Sequence, residues 1–330
     1  MKYLVTGADG FLGGHFLASL AERGVAARAM LQRSPGQVAL PGNPEIVRAE
    51  LLEPDSLAAA VDGITHIVHL AARVHVMQDP APDPEAAYFQ VNVEGTRSLL
   101  AAAARAGVTH FLLMSTVKAM GEEDEGIFDE TSPPAPTTPY GRSKLAAEQA
   151  VFELAEAGGI HACVTRLPMV YGPGAKGNVL RLLAAARRGK RLPFGAIENR
   201  RSMVYVGNVV DAALAVLESP NSAGQVYLVC DERPYSTREF YSAICRAMGK
   251  EPLLRNTPVW LLKAMGRCGD LAGLILRREM PVNTGVVRRI AGDLCFSANK
   301  ITEQVGFTPK VSLAEGAEQT VRWYLRNNPE

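Results

Sequence analysis

Tyr140 and Lys144 form the first residue pair whose chemistry and spacing suggest a function. They lie four residues apart in "TPYGRSK" (138–144), directly after Pro139. One interpretation is a simple helix start, because proline suits a first helical turn and positions four apart share a helix face. The other is catalytic: the Lys144 ammonium would favour the ionised phenol and lower the pKa of Tyr140. The tyrosine could then exchange a proton with a carbonyl or alcohol oxygen.

A glycine-rich loop near the N-terminus indicates a second functional element. "TGADGFLGG" places Gly7, Gly10 and Gly13 at three-residue spacing, with Phe11 and Leu12 between them. Glycines permit a tight turn and let backbone N–H groups approach a pyrophosphate at a helix N-terminus. Because the loop lies between a predicted strand and a predicted helix, it predicts a dinucleotide-binding site.

The end of the second predicted strand bears on which dinucleotide binds. A carboxylate there would hold the adenosine ribose hydroxyls of NAD, but this chain has Leu31, Gln32 and Arg33. A guanidinium at Arg33 could pair with a 2′-phosphate, so the sequence favours NADP(H) and leaves NAD(H) possible. A solvated loop arginine is the other interpretation.

Composition excludes several functional classes. The 330 residues include 35 Lys+Arg and 34 Asp+Glu, a net charge of +1, so the chain lacks the basic field of a nucleic-acid binder. The five cysteines are scattered without a Cys-x-x-Cys pair, which argues against a disulfide framework or a metal site and fits a reducing cytoplasm. The chain reaches Gly7 too soon for a signal peptide.

The segment 259–276 is the nearest candidate for a membrane-seeking element. Lys263, Arg267 and Asp270 interrupt it, so no uninterrupted apolar stretch is long enough for stable membrane insertion. We expect this segment to be core or a cover for the substrate site, with a helix that touches a membrane as the alternative.

Short apolar runs alternate with helical patterns over the first two-thirds of the chain. Such alternation predicts an α/β fold, a doubly wound parallel sheet of the Rossmann type. We assign residues 1–168 and 204–232 to an NAD(P)-binding domain, and 169–203 and 233–330 to a smaller C-terminal substrate-binding cap. The predicted strands are 2–6, 26–31, 45–48, 65–72, 109–115, 161–167 and 225–230, and the predicted helices are 11–23, 54–62, 85–106, the Tyr140 helix and 209–218.

Taken together, the motifs resemble the extended short-chain dehydrogenase/reductase family, which includes nucleotide-sugar epimerases and dehydratases. The resemblance implies that Tyr140 transfers a proton, that Lys144 binds the nicotinamide ribose, and that Thr116 holds the substrate oxygen. The matching stretches are "TGADGFLG", "AELLEPDSL", "HLAA", "VNVEGT", "LLMSTVKAMGE", "YGRSK", "RLPMVYGP" and "RRSMVYVGN".

The same resemblance implies positions for the remaining binding residues. Glu50 and Leu51 would lie near the adenine, and Leu70, Ala71 and Ala72 along the dinucleotide. Asn92 would open a helix near the active site, with a purely structural role as the alternative.

Substrate contacts follow from the resemblance in the same way. Arg201 matches a diphosphate-binding arginine, Arg200 doubles the charge, and Asn178 matches an amide near the substrate diphosphate. Lys118 would lie near the substrate. A solvated turn is the alternative interpretation of the two arginines.

Two departures from the family pattern narrow the reaction. Dehydratases carry Asp-Glu directly after the catalytic threonine, whereas this chain has Val117 and Lys118, so we reject a dehydratase. Met169 stands where many nucleotide-sugar enzymes have an asparagine that contacts the sugar diphosphate. The absence of this asparagine weakens the transfer of their substrate geometry to this chain.

The narrower likeness is to the O-antigen and capsule subgroup, which favours a 4-keto reductase of a UDP-hexose. The alternatives are a UDP-hexose 4-epimerase with bound NAD, a 3β-hydroxysteroid or dihydroflavonol-type dehydrogenase and, least favoured, a regulatory dinucleotide-binding protein without turnover. A cytoplasmic homodimer that pairs helices at 85–106 and 140–157 is a family expectation.

Overall fold

The computed structural model describes residues 1–32, 39–74, 81–121, 126–276, 278 and 280–328. Strands and helices alternate along its first two-thirds, as the sequence predicted. The strands of this described part are β1 (Lys2–Thr6), β2 (Ala26–Leu31), β3 (Glu45–Arg48), β4 (His66–His69), β5 (His110–Thr116), β6 (Ile127–Phe128), β7 (His161–Leu167), β8 (Met169–Tyr171), β9 (Met203–Tyr205), β10 (Gln225–Leu228) and β11 (Cys295–Phe296). The helices are α1 (Phe11–Glu22), α2 (Pro54–Val61), α3 (Pro84–Phe89), α4 (Gly95–Arg105), α5 (Pro139–Gly158), α6 (Asn178–Arg187), α7 (Val206–Glu218), α8 (Thr237–Ala247), α9 (Val259–Leu276), α10 (Thr284–Ala291), α11 (Asn299–Val305) and α12 (Leu313–Asn327).

A parallel sheet forms the centre of the molecule. Among the described residues it has seven strands in the order β3-β2-β1-β4-β5-β7-β10, and each neighbouring pair is parallel. The strand order reverses between β1 and β4. In open α/β sheets a crevice forms at that point, beyond the carboxyl ends of the strands, and ligands bind there. The doubly wound fold predicted from the sequence is confirmed.

Two apolar cores cover the two faces of this sheet. On one face α1 and α7 pack through residues such as Phe16, Leu17 and Val209. On the other, α2, α4 and α5 contribute Leu57, Leu99 and others. Because both faces are covered, the strands read as nearly continuous apolar runs rather than as alternating ones.

The long helix predicted over 85–106 is interrupted. A π-helical turn, Gln90–Glu94, separates α3 from α4. π-Turns are rare and often occur at functional sites. This one contains Asn92, whose buried side chain bonds the backbone of Arg73 in both directions.

A third core lies outside the large sheet. Side chains from α6, α8 and α12 pack there, with Leu183, Tyr241 and Val321 as members, and the short parallel pair β8–β9 borders it. Asn208 of α7 donates to Asp231 and to the Val311 carbonyl, and so joins this region to the sheet. The boundaries assigned to the substrate-binding cap stay a prediction.

The expectation that 259–276 is core was wrong for most of its surface, and its role as a cover for the substrate site stays a prediction. The segment is helical, α9, but its buried residues are Leu262 and Gly266. Trp260, Leu274 and Ile275 are exposed by 70%, 77% and 74%. Within the described residues, no helix is both long and apolar enough to span a membrane.

Candidate active site

The loop between β1 and α1 has the shape that a pyrophosphate requires. Gly7 has a φ of +63°, and a Cβ there would lie 3.0 Å from the Ala71 nitrogen. At Gly13 a Cβ would lie 2.4 Å from the Gly7 carbonyl oxygen, so a larger residue would displace the turn. Gly10 caps α1 without a side-chain hydrogen bond, which leaves N–H groups of the first turn directed at the crevice. These residues fit a dinucleotide.

The first turn of α5 positions Tyr140. The Thr138 side chain accepts from the Gly141 N–H at 3.1 Å, and Pro139 occupies a helical position that needs no donor. A Cβ at Gly141 would lie 2.4 Å from the Lys118 carbonyl oxygen, so glycine lets the turn after β5 pack directly on α5. Thr116 ends β5, and its hydroxyl accepts from the Lys118 N–H at 3.3 Å.

Lys144 is a buried cation, exposed by 3%. Burial lowers its pKa to about 8, and the carboxylate of Glu148 one turn further along α5 opposes that effect. Glu148 is itself engaged by Arg166 at 2.7 Å and by the Ser115 hydroxyl. The Lys144 ammonium makes no hydrogen bond to any residue that the structure describes, which fits a group that binds ribose hydroxyls.

The expected effect of Lys144 on Tyr140 is not found in this structure. Burial, with a smaller contribution from the neighbouring Tyr88, raises the pKa of Tyr140 to about 12. The two tyrosine rings lie 5.9 Å apart between centroids. Desolvation of the phenolate therefore dominates this pKa, and the phenol is protonated at neutral pH.

Hydrogen bonds connect the glycine turn to the Tyr140 helix. The Thr6 hydroxyl contacts Nδ1 of His69 at 2.8 Å, and Nε2 of His69 contacts the Thr96 hydroxyl at 2.9 Å. The Thr96 hydroxyl donates to the Asn92 carbonyl at 2.7 Å, so it must accept from Nε2–H. Thr6 in turn donates to Nδ1, since burial lowers the pKa of His69 to about 3 and keeps the ring neutral.

The chain of contacts continues from Asn92 to the catalytic turn. The Asn92 amide donates to the Ser143 hydroxyl at 2.9 Å, and that hydroxyl donates to the Tyr140 carbonyl at 2.9 Å. Asn92 therefore links the π-turn to α5. Asn92 lies within this π-turn rather than at the start of a helix, and its role near the active site stays a prediction.

The other predicted cofactor residues follow the carboxyl ends of β1, β3 and β4. Leu70 and Ala71 donate their N–H groups to the Thr6 hydroxyl at 3.1 and 3.0 Å, and Ala72 follows directly. Leu51 is buried in the core beside α4, and the Glu50 N–H is bound by Ser56 at 2.9 Å. Phe11 and Leu12 lie half-buried in the first turn of α1. Arg33 lies outside the described residues.

The predicted substrate residues are distributed over separate elements. Asn178 begins α6 and is exposed, whereas Lys118 is half-buried beside Thr116. The Arg201 guanidinium donates to the Gly292 carbonyl at 2.9 Å, and its backbone bridges Tyr235.

Arg200 lies beside a cleft whose lining does not include Arg201. This cleft has a volume of about 1190 Å³ and does not include Tyr140 or Lys144. The chemistry indicated by the side chains lies instead at the sheet edge, so we place the candidate active site there. The roles of the two arginines stay predictions.

The sequence offered no signal for Tyr88, Thr6 or His69. Tyr88 contacts Tyr140 across the loop after β4, and its hydroxyl donates to the Val74 carbonyl at 3.1 Å. All three reach the site through contacts between residues distant in the chain, which local spacing does not reveal.

Comparison with known proteins decides the family. The model of the NAD dependent epimerase/dehydratase family matches residues 3–230. The chain belongs to this family. It is an enzyme of the extended short-chain dehydrogenase/reductase type, as its resemblance indicated.

Individual relatives cover nearly the whole chain. A UDP-glucose 4-epimerase of Vibrio cholerae is 31% identical over 339 residues, 98% of this chain and 96% of the relative. A Thermotoga maritima UDP-glucose 4-epimerase, solved with UDP-glucose, superimposes with a TM-score of 0.78 at 25% identity over 99% of both chains. The Thermus thermophilus UDP-glucose 4-epimerase, solved with NAD, has a TM-score of 0.74 at 26% identity, over 98% of this chain and 99% of that one.

Proposed function

We propose that this protein is a UDP-hexose 4-epimerase that transfers a hydride at C4 of the sugar and keeps NAD bound. The observation that carries the proposal is the continuous set of hydrogen bonds from Thr6, at the glycine turn, to Tyr140. It joins a dinucleotide cradle to an acid–base group at one crevice. The proposal reverses the order of preference from the sequence, because a relative 31% identical over 98% of this chain is a 4-epimerase.

Each catalytic residue has a separate task in this proposal. Tyr140 takes the proton of the C4 hydroxyl and later returns it to the carbonyl oxygen. Thr116 holds that oxygen by a hydrogen bond, and Lys144 binds the nicotinamide ribose. Its charge must stabilise the phenolate in the bound complex, since it does not lower the Tyr140 pKa in the free protein. A bound nicotinamide supplies the hydride acceptor and donor. The sugar must present its other face before the hydride returns, which inverts C4.

Proton removal imposes a condition on Tyr140. A phenol with a pKa near 12 is protonated at neutral pH, so it is available as a proton donor but is only rarely present as the phenolate base. Epimerisation begins with proton removal, so the bound complex must have a much lower Tyr140 pKa. Reduction of a 4-keto sugar begins with proton donation and does not impose this condition.

The substrate diphosphate requires local cations, since the chain has a net charge of +1. We assign that role to Arg201 together with the Asn178 amide, as the family resemblance implies. Val117 is buried and apolar where a dehydratase carries a carboxylate, which leaves water elimination without its acid.

A 4-keto reductase that uses NADP(H) is the second candidate. It is favoured by the end of β2, where Leu31 and Gln32 provide no carboxylate for the ribose hydroxyls of NAD. Arg33, the proposed partner of a 2′-phosphate, would then select the cofactor.

Identification of the retained cofactor separates the candidates. The purified protein is denatured, its nucleotide is identified by chromatography and mass spectrometry, and UDP-hexoses are supplied without added cofactor. Co-purified NAD and formation of the C4 epimer support the epimerase. An empty site and NADPH consumption with a UDP-4-keto sugar support the reductase. Absence of both activities over a panel of UDP-hexoses and UDP-N-acetylhexosamines would reject the proposed function.

A further inference from the structure

Helix α9 has the reverse of the polarity expected for a surface helix. Leu262 and Gly266 are buried on the side that packs on the protein. By helical spacing Trp260, Leu271 and Ile275 lie on the opposite side, and all three are exposed. A helix of a globular protein normally directs polar residues to solvent there. The outward face of α9 therefore carries large apolar side chains, with the exposed Arg267 among them, where water would favour polar residues throughout.

The packed side of α9 is already filled, so rotation of the helix would not bury this face. A Cβ at Gly266 would lie 3.2 Å from Thr284, and one at Gly269 would lie 1.8 Å from the Val282 carbonyl oxygen. Close backbone approach through these glycines fixes α9 against the start of α10. The apolar face is a fixed property of the fold.

Charge around this face identifies what it contacts. Residues 255–289 contain seven basic and two acidic residues, a net charge of +5 in a chain whose total is +1. Arg255, Lys263, Arg267 and Arg278 are all exposed. An apolar helix face flanked by lysine and arginine is typical of helices that lie in the interface of an anionic bilayer. Apolarity alone would suit a protein partner equally well, whereas the net positive charge of this segment favours an anionic surface.

We infer that the outward face of α9 docks this enzyme on the surface of a bilayer that contains anionic lipids. Trp260, Leu271, Leu274 and Ile275 enter the interface, and the flanking cations contact lipid phosphates. Long basic side chains keep their charge at the headgroups while their stems cover apolar surface. The helix lies on the membrane and does not cross it.

This docking would bring the candidate substrate side of the protein towards the membrane. α10 packs against α9, and its C-terminal end is held by the substrate-side segment 199–201. The Asn199 amide donates to the Ile290 carbonyl at 3.0 Å, and the Arg201 guanidinium donates to the Gly292 carbonyl. The inference itself does not depend on the proposed reaction, because binding is measured without substrate.

The two tryptophans of the chain, Trp260 and Trp323, allow a direct test. In a Trp323→Phe variant of the full-length protein, Trp260 is the reporter. Vesicles of equal parts phosphatidylglycerol and phosphatidylcholine should shift its emission to the blue, and the same protein should co-sediment with them. Vesicles of phosphatidylcholine alone should bind at least roughly tenfold more weakly, and salt should weaken binding to the anionic vesicles.

Matched variants distinguish binding through the outward face of α9 from nonspecific binding to vesicles. Leu274→Glu/Ile275→Glu should lower binding at least roughly tenfold, whereas Leu325→Glu, exposed by 46% on α12, should not. Lys263→Gln/Arg267→Gln should weaken binding to anionic vesicles, and the exposed control pair Arg188→Gln/Lys190→Gln should not. Unchanged circular dichroism and cofactor content show that each variant is folded.

Three results would overturn the inference. The first is failure of the wild type to bind anionic vesicles. The second is binding that Leu274→Glu/Ile275→Glu leaves intact. The third is a dimer in sedimentation velocity that this double variant dissociates, without vesicle binding by the wild type, since the face would then be covered by a second copy of the chain.

Discussion

Replacement of Lys144 by methionine should stabilise the cofactor-free protein while it abolishes turnover. Lys144 is buried without a hydrogen-bond partner among the described residues, and burial lowers its pKa from 10.5 to about 8. A pKa unit corresponds to about 1.4 kcal/mol, so keeping this ammonium charged inside the fold costs about 3 kcal/mol. Methionine is similar in length and carries no charge, so the variant avoids this cost.

The stability advantage of Lys144→Met depends on pH, because the pKa of Lys144 is lower in the folded state than in the unfolded state. Below pH 8 the lysine is charged in both the folded and the unfolded state, and the full cost is present. Between about 8 and 10.5 the unfolded state binds more protons, so wild-type stability rises with pH. The advantage of Lys144→Met should therefore be about 3 kcal/mol at about pH 7 and should vanish by about pH 10.5.

Urea unfolding of both proteins, stripped of cofactor, over this pH range measures the difference. Lys176→Met, at an exposed position, is the control and should show no such trend. Added NAD should stabilise the wild type more than Lys144→Met. A variant that is less stable than wild type at neutral pH, or an advantage that does not change with pH, would refute the reasoning.

Four further outcomes are expected. Tyr140→Phe should keep cofactor affinity and lower kcat by roughly 10²–10⁴, measured by steady-state kinetics, and a variant within threefold of wild type would remove Tyr140 from the mechanism. Gly13→Ala should lose NAD binding by calorimetry because its Cβ would meet the Gly7 carbonyl, whereas Gly14→Ala, with no atom within 4 Å, should bind normally. Arg201→Leu should raise KM for UDP-sugars more than it lowers kcat, and unchanged kinetics would exclude its diphosphate role. Stability should fall as pH drops from about 6.5 towards 4, since burial lowers the pKa of His66 to about 4, and His110→Phe should reduce that loss in urea unfolding.

The histidine prediction depends on rings that stack across adjacent strands. His66, His110 and His161 are in register on β4, β5 and β7, with ring centroids 4.3 and 4.9 Å apart. Each has its pKa lowered, chiefly by burial. The neutral rings are therefore favoured in the fold, and protonation towards pH 4 favours the unfolded state. Phenylalanine at 110 keeps the stack without a titrating group, so an unchanged acid profile would contradict this explanation.

The sequence predicted those parts of the site that depend on local backbone chemistry. The Gly7 turn, the Pro139 helix start and the strand at 161–167 follow from residue types at short spacing, and each lies where it was expected. The carboxyl ends of parallel strands then bring such motifs to one edge of the sheet.

Features that depend on burial and on distant contacts could not be predicted. The pKa of Tyr140 is set chiefly by desolvation. The π-turn at Asn92 depends on a loop some twenty residues earlier in the chain. The apolar sequence of α9 is compatible with a buried helix and with an exposed one. The close contacts at Gly266 and Gly269 that fix its orientation exist only in the folded chain.

The most direct test of the proposed reaction is the fate of hydrogen at C4. The enzyme is incubated, without added cofactor, with a UDP-hexose that carries deuterium at C4, and the products are followed by nuclear magnetic resonance. Hydride transfer to a bound cofactor predicts that the wild type forms the C4 epimer with deuterium retained at C4. The Tyr140→Phe variant should form almost none of this product. Loss of the deuterium to solvent, or equal epimerisation by Tyr140→Phe, would contradict hydride transfer assisted by this tyrosine.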